Sequence, residues 1–341
     1  MSDRAAIKAI VKPSGLTAVY TPRNPTVDIV FVHGLNGHPY DTWTSQSGCF
    51  WPVELLVDAL GPLQPRILTY GYKLSVEIFT DGAPRDSFLA HGETLVGHLS
   101  ANRNLRDCAD RPIIFVCHSL GGLVVKSALI HSHGTFQHQK LGHLYSVYLS
   151  TFKILFLGTP HDRSGNVKWG SLLRNICTAV LPEKFLKASP QVVTALCTNN
   201  ERLQRINSQF EDIMSVFKIY FFYENRLTDP QGALDVAVDE TSAAPYIPGA
   251  KRSGIDADHA YMCKFEGRND PCYEMVAEAI LQYSSQAPTV IANRWLTENS
   301  TTQTQAQVKK AEVAKIPRAG CSSSWGTLGE FSLAKFQTLS S

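Results

Sequence analysis

Ile113-Ile114-Phe115-Val116-Cys117-His118-Ser119-Leu120-Gly121-Gly122 carries an apolar run straight into a serine and a pair of glycines. A helix pattern follows at once in Leu120, Leu123, Val124 and Leu129. A strand that ends in a serine and turns directly into a helix is the sequence form of a nucleophile elbow. Its turn is tight enough to force the serine into a sparsely populated backbone conformation, so the positions two before and two after must be small. Gly121 meets that demand. Cys117 stands where the usual pattern has glycine, small but not minimal. Ser119 is the candidate nucleophile.

A nucleophile of this kind needs donors for the oxyanion and a base. Val27-Asp28-Ile29-Val30-Phe31-Val32 reads as a buried strand and runs into His33-Gly34-Leu35-Asn36-Gly37. A His-Gly step after an early strand turns the next backbone N–H toward the substrate carbonyl. The expected oxyanion donors are the N–H groups of Leu35 and Leu120.

The base should follow the last strand. His259, in Ile255-Asp256-Ala257-Asp258-His259-Ala260-Tyr261-Met262, is the best placed of eleven histidines. It is expected after a strand at Asp235-Val236-Ala237-Val238 and before a closing helix capped by Asp270. His131, His133, His138 and His143 lack ligand-type spacing with cysteines or carboxylates and read as a solvated loop, so no metal site is expected. His118 is expected to point away from the nucleophile, while His33 and His161 shape the site through hydrogen bonds. The acid must lie between Ser119 and His259 in chain order. Glu224, at the end of the strand Val216 to Tyr223, is the first choice because a strand terminus holds a carboxylate rigidly. Asp229 and Asp239 are the alternatives.

These stretches, with Trp43-Thr44, Phe50-Trp51-Pro52, Arg66 to Tyr72 and Gly158-Thr159-Pro160-His161, resemble the serine-active-site-containing α/β-hydrolases. That group comprises lipase and inositol-deacylase-like serine esterases of fungal type, and the resemblance runs over roughly residues 15 to 283. It implies an α/β-hydrolase fold with Ser119 and His259 in catalytic roles, and supports Glu224 more weakly. It does not fix a substrate. Asp162-Arg163 departs from the basic residue and glycine usual after Thr-Pro-His, which touches the rim of the site.

Composition fits such an enzyme. The 341 residues are 44% hydrophobic, enough for a large core, and the net charge of +2 creates no long-range attraction for nucleic acid. Eight scattered cysteines without a C-x-x-C pair read as reduced thiols. The chain shows neither a signal-peptide pattern nor an apolar run of about 18 residues, so a cytoplasmic protein is expected, with peripheral membrane contact left open. Oligomeric state is not legible.

Buried strands alternate with helix patterns, the rhythm of a mostly parallel sheet of about seven strands with helices on both faces. Strands are expected at Leu16 to Tyr20, 27–32, Arg66 to Tyr70, Ile113 to Cys117, Ile154 to Leu157, Phe217 to Tyr223 and 235–238. The α/β-hydrolase domain should span 1–284. Residues 164–211 form a helical insertion, readable either as a lid over the serine or as packing helices, with Trp169 and Leu181-Pro182 as acyl-pocket candidates if it is a lid. Residues 285–341 are polar and read as a linker or largely disordered tail, with a helix pattern at Gln305 to Lys315.

The expected chemistry is cleavage of a carboxylic ester or thioester of a small-molecule or lipid acyl substrate, without metal or organic cofactor. Two alternatives stand beside it: a catalytically silent hydrolase-like interaction module, and an acyltransferase or product-release enzyme on the same fold.

Overall fold

The computed structural model describes residues 2–74, 87–137, 142–161, 169–181, 200–227, 236–282 and 284–300. Among them, seven strands form one sheet: β1 (Gly15–Tyr20), β2 (Val27–Val32), β3 (Pro65–Gly71), β4 (Ile113–His118), β5 (Thr151–Leu157), β6 (Lys218–Glu224) and β7 (Lys251–Ile255). Their order is β1-β3-β2-β4-β5-β6-β7, parallel throughout except for the antiparallel edge strand β1.

The central strands β2, β3, β4 and β5 are buried along their whole length, as continuous apolar runs in a parallel sheet require. Within β4, Ile113, Phe115 and Cys117 face one core and Ile114 and Val116 the other. The first core is completed by α4 (Ser87–Asn104), α5 (Gly121–Gly134), α6 (Gly142–Ser150), α7 (Trp169–Val180) and α8 (Asn200–Ile213). The second takes α2 (Trp51–Glu54), α3 (Leu56–Ala59) and α10 (Pro271–Leu281). Asp270 caps α10 by accepting from the N–H groups of Cys272 and Tyr273, with Pro271 in the first turn, as the sequence pattern predicts. Two further helices are α1 (Ser2–Ile10), for which the sequence carries no expectation, and α9 (Glu240–Ala243). Strand order, layering and the strand–serine–helix turn are those of the α/β-hydrolase fold.

Three expectations change. Residues 236–239 are not a strand: Val238 gives its N–H to the Glu224 side chain instead of a neighbouring strand. The seventh strand is the polar Lys251–Ile255, an edge element with only Ile255 fully covered. Second, residues 284–296 belong with the sheet rather than with a tail. A 3-10 turn leads into a helix whose Ala287 and Ile291 are buried in the second core, and Arg294 Nη1 donates to the Thr151 carbonyl at 2.7 Å. The four-residue spacing of Ala287, Ile291 and Trp295 carries this packing inside a polar stretch. Third, His131, His133 and His143 lie on helices, not in a loop. Trp169, a pocket candidate only on the lid reading of 164–211, is buried in the first core beside Leu172, Leu173 and Ile176. The Gln305 to Lys315 pattern, Pro182 and His138 lie outside the described residues.

At the opposite end of β2 from the serine, Asp28 is wholly buried among three arginines. Arg66 meets it through Nε at 2.8 Å and Nη2 at 2.7 Å, Arg103 at 2.5 Å and Arg111 at 3.1 Å. Burial alone would raise this carboxyl, but Arg103, Arg66 and Arg111 outweigh it and hold the group below the usual carboxylate range. No helix among the described residues is long and apolar enough to cross a membrane.

Candidate active site

The run Ile113–His118 delivers Ser119 with φ of +52°, a left-handed conformation that a non-glycine residue adopts only under constraint. The constraint is visible. Ser119 N–H donates to the Leu157 carbonyl at 2.8 Å, and its own carbonyl accepts from Gly122 N–H at 3.1 Å and from Thr159 Oγ1 at 2.8 Å. Gly121 must lack a side chain, because a Cβ there would lie 2.2 Å from the His33 carbonyl oxygen. The His-Gly loop is also close: a Cβ on Gly34 would stand 2.7 Å from Ser119 Cβ. The N–H groups of Leu35 and Leu120 have no hydrogen-bond partner among the described residues.

His33 is fully buried, stacked on Tyr72 with centroids 4.5 Å apart. Its Nδ1 lies 2.9 Å from the Gly34 carbonyl, so that nitrogen carries the proton, and burial lowers its pKa to about 4. Tyr72 Oη donates to the His33 carbonyl at 2.5 Å. His33 thus acts as a neutral brace for the loop.

His259 has no solvent-exposed side-chain surface, and its Nε2 lies 2.8 Å from Ser119 Oγ. It follows β7 in a turn fixed locally by Asp258, whose Oδ1 accepts from the N–H groups of Ala260 and Tyr261, each at 3.0 Å. The aromatic residues near the start of the chain support this turn. Trp51 packs edge-on against Phe31 and Phe265 and donates through Nε1 to the Cys263 carbonyl at 2.9 Å.

Of the three candidate acids, Glu224 stands beside the imidazole. Its side chain is buried at the end of β6, Oε1 accepts from Val238 N–H at 2.7 Å, and the same oxygen is 3.4 Å from His259 Nδ1. That separation exceeds a good hydrogen bond, and Nδ1 and Glu224 Oε2 have no other partner among the described residues. Contacts of this kind tighten when substrate binds. Asp239 is committed elsewhere: it caps α9, accepting from Ser242 N–H at 3.0 Å and Ser242 Oγ at 2.7 Å. Asp229 lies outside the described residues.

Two buried contacts, of His118 and of Lys126, are not legible in the sequence. His118 does not simply turn away; its Nε2 lies 2.8 Å from the His259 carbonyl. Lys126, on α5 seven residues after Ser119, is buried with Nζ 2.6 Å from His161 Nδ1 and 2.5 Å from Asn207 Oδ1 on α8. Burial lowers its pKa to about 7, and burial also depresses His161 well below its usual value. A neutral amine offers two N–H groups to these two acceptors, and Nζ sits 5.5 Å from the ring centres of Phe156 and Phe210. The available signal is a lysine inside the mostly apolar run Leu123 to Ala128. Among the described residues no group of three or more His, Cys, Asp or Glu side chains is arranged to hold a metal ion.

No family model matches the chain. It is similar to Protein SERAC1 of Danio rerio, 27% identical over 278 residues, and to Protein SERAC1 of Homo sapiens, 26% identical over 273 residues. Each match covers 74% of this chain and 38% of the relative, so the chain spans well under half the length of these proteins. Among solved structures, a hormone-sensitive lipase from a metagenome library aligns over 84% of this chain and 92% of its own, at 14% identity and a TM-score of 0.45. The esterase RhEst1 from Rhodococcus sp. ECU1013 aligns over 80% and 94%, at 15% identity and a TM-score of 0.43. In fold the chain is an α/β-hydrolase, and over 74% of its length it is similar in sequence to the SERAC1 proteins.

Proposed function

We propose that the chain is a serine hydrolase that cleaves a carboxylic ester or thioester through an acyl-enzyme on Ser119. The observation that carries this reading is the strained serine at φ +52° with His259 Nε2 2.8 Å from its hydroxyl. His259 takes the hydroxyl proton as Ser119 attacks the carbonyl carbon, and Glu224 steadies the imidazolium that forms. The N–H groups of Leu35 and Leu120 receive the oxyanion, each typically worth about 3 kcal/mol of barrier. His259 then protonates the leaving group, and water repeats the sequence on the acyl-enzyme. The substrate is a small-molecule or lipid acyl compound.

The test is labelling of the purified chain by a fluorophosphonate, together with turnover of acyl esters of increasing chain length. Wild type should be labelled and turn over esters, and Ser119→Ala should lose both while unfolding within about 1 kcal/mol of wild type. Retained turnover in Ser119→Ala overturns the assignment, and an unlabelled, inactive wild type favours the interaction-module alternative.

A further inference from the structure

We propose that His118 is a positioning residue that holds the main chain of His259 so that its imidazole stays on Ser119. This rests on the hydrolase reading above and adds a residue to it. The two histidines are 141 positions apart, both buried, with ring centroids 5.2 Å apart. His118 Nε2 lies 2.8 Å from the His259 carbonyl oxygen. Since a carbonyl only accepts, Nε2 carries the proton.

The placement of this bond matters more than its strength. The turn bearing His259 is also tied to the early part of the chain by Trp51 at the Cys263 carbonyl, 2.9 Å, and by Lys264 Nζ at the Asp41 carbonyl, 2.8 Å. Both ties act four or five residues beyond the imidazole. The His118 bond acts on residue 259 itself, from the residue adjoining the nucleophile. Ser119 is pinned to β5 through the Leu157 carbonyl. The segment bearing the nucleophile is therefore joined to the base twice, by Ser119 at the His259 side chain at 2.8 Å and by His118 at the His259 main chain at 2.8 Å. Two linked points set a ring's position and its tilt, whereas one sets only a distance. Burial, with His259 nearby as a smaller influence, lowers the His118 pKa to about 3, so the neutral donor persists across the working range of an esterase.

The experiment uses the full chain and three proteins: wild type, His118→Gln and His118→Phe. Gln places an amide N–H where Nε2 stands, and Phe fills the ring volume without a donor. Each is measured for fluorophosphonate labelling rate, for kcat and KM on a p-nitrophenyl acyl ester, and for thermal unfolding. A displacement of about 1 Å at a reacting group costs on the order of 100-fold, so Phe should lower kcat and labelling together by roughly 10- to 100-fold with KM within about twofold. Gln should recover to within about fivefold of wild type. Wild-type rates in a folded Phe variant, or a folded Gln variant as slow as Phe, overturn the proposal while the hydrolase reading stands. An unlabelled, inactive wild type removes both. Should the Phe variant not fold, imidazole 15N spectra of wild type decide: a neutral Nε2-protonated His118 supports the proposal, and an Nδ1-protonated one overturns it.

Discussion

Replacing Glu224 by glutamine removes the negative charge 3.4 Å from His259 Nδ1 while keeping an oxygen for the Val238 N–H that Oε1 now accepts at 2.7 Å. The variant should therefore fold. Its cost falls on the step in which His259 becomes positively charged. At an effective dielectric of about 20, unit charges at that separation attract by about 5 kcal/mol. Because the charge is only part-developed in the transition state, a loss of roughly three orders of magnitude in kcat is expected, with KM little changed. The assay is steady-state hydrolysis of a p-nitrophenyl ester alongside urea unfolding. Asp239→Asn is the control, since Asp239 serves as a cap for α9 and should leave kcat within about twofold while costing up to about 1 kcal/mol of stability. A loss of less than about tenfold in a folded Glu224→Gln would refute the assignment and direct attention to Asp229.

Gly121→Ala forces a Cβ to within 2.2 Å of the His33 carbonyl oxygen and should cost about 3 kcal/mol in urea unfolding together with most of the labelling by fluorophosphonate. Asp28→Asn leaves Arg66, Arg103 and Arg111 without their shared buried anion and should destabilise by about 3–5 kcal/mol; a shift under about 1 kcal/mol would contradict that account. Lys126 keeps its proton to about pH 10.5 in the unfolded chain but only to about 7 in the fold, so between these values the unfolded state binds more protons and wild-type stability rises with pH. Measured against Lys126→Met, wild type should accordingly gain roughly 2–4 kcal/mol between about pH 6 and pH 9.5, and a flat difference would show that Lys126 stays charged.

What the sequence reveals and what it conceals divide by locality. The elbow is written in ten consecutive residues, and the central strands in unbroken apolar runs. The capped helix at Asp270-Pro271 is likewise local, and all of these stand where their patterns place them. The seventh strand is concealed because an edge strand needs little apolar surface: Lys251-Arg252-Ser253-Gly254-Ile255 pairs through its backbone, while the more strand-like Val236-Ala237-Val238 serves Glu224. Glu224 could be proposed because strand ends are recognisable, yet its distance from His259 depends on how β6 and β7 lie together. The His118–His259 bond, the Lys126–Asn207 contact and the arginines around Asp28 join residues 38 to 141 positions apart. No local pattern encodes such pairs.

The grip on the Ser119 main chain has a bearing on how the protein is made. The carbonyl of Leu157 and the hydroxyl of Thr159 arrive 38 and 40 residues after the serine they hold, and His259 a further hundred later. A nascent chain, or a fragment ending before β5, contains the whole Gly-Gly turn but only the local Gly122 N–H bond to hold residue 119 in a left-handed conformation that costs roughly 1–2 kcal/mol. Such a fragment relaxes to an ordinary turn. During refolding, burial of Trp43 and Trp51 can report the collapse of the second core early, whereas labelling at Ser119 must wait for β5 to dock and for the His259 turn to close. Reactivity toward a fluorophosphonate then becomes a clock for the last stage of assembly, and any cleavage between β5 and α10 should silence the serine without touching the elbow itself.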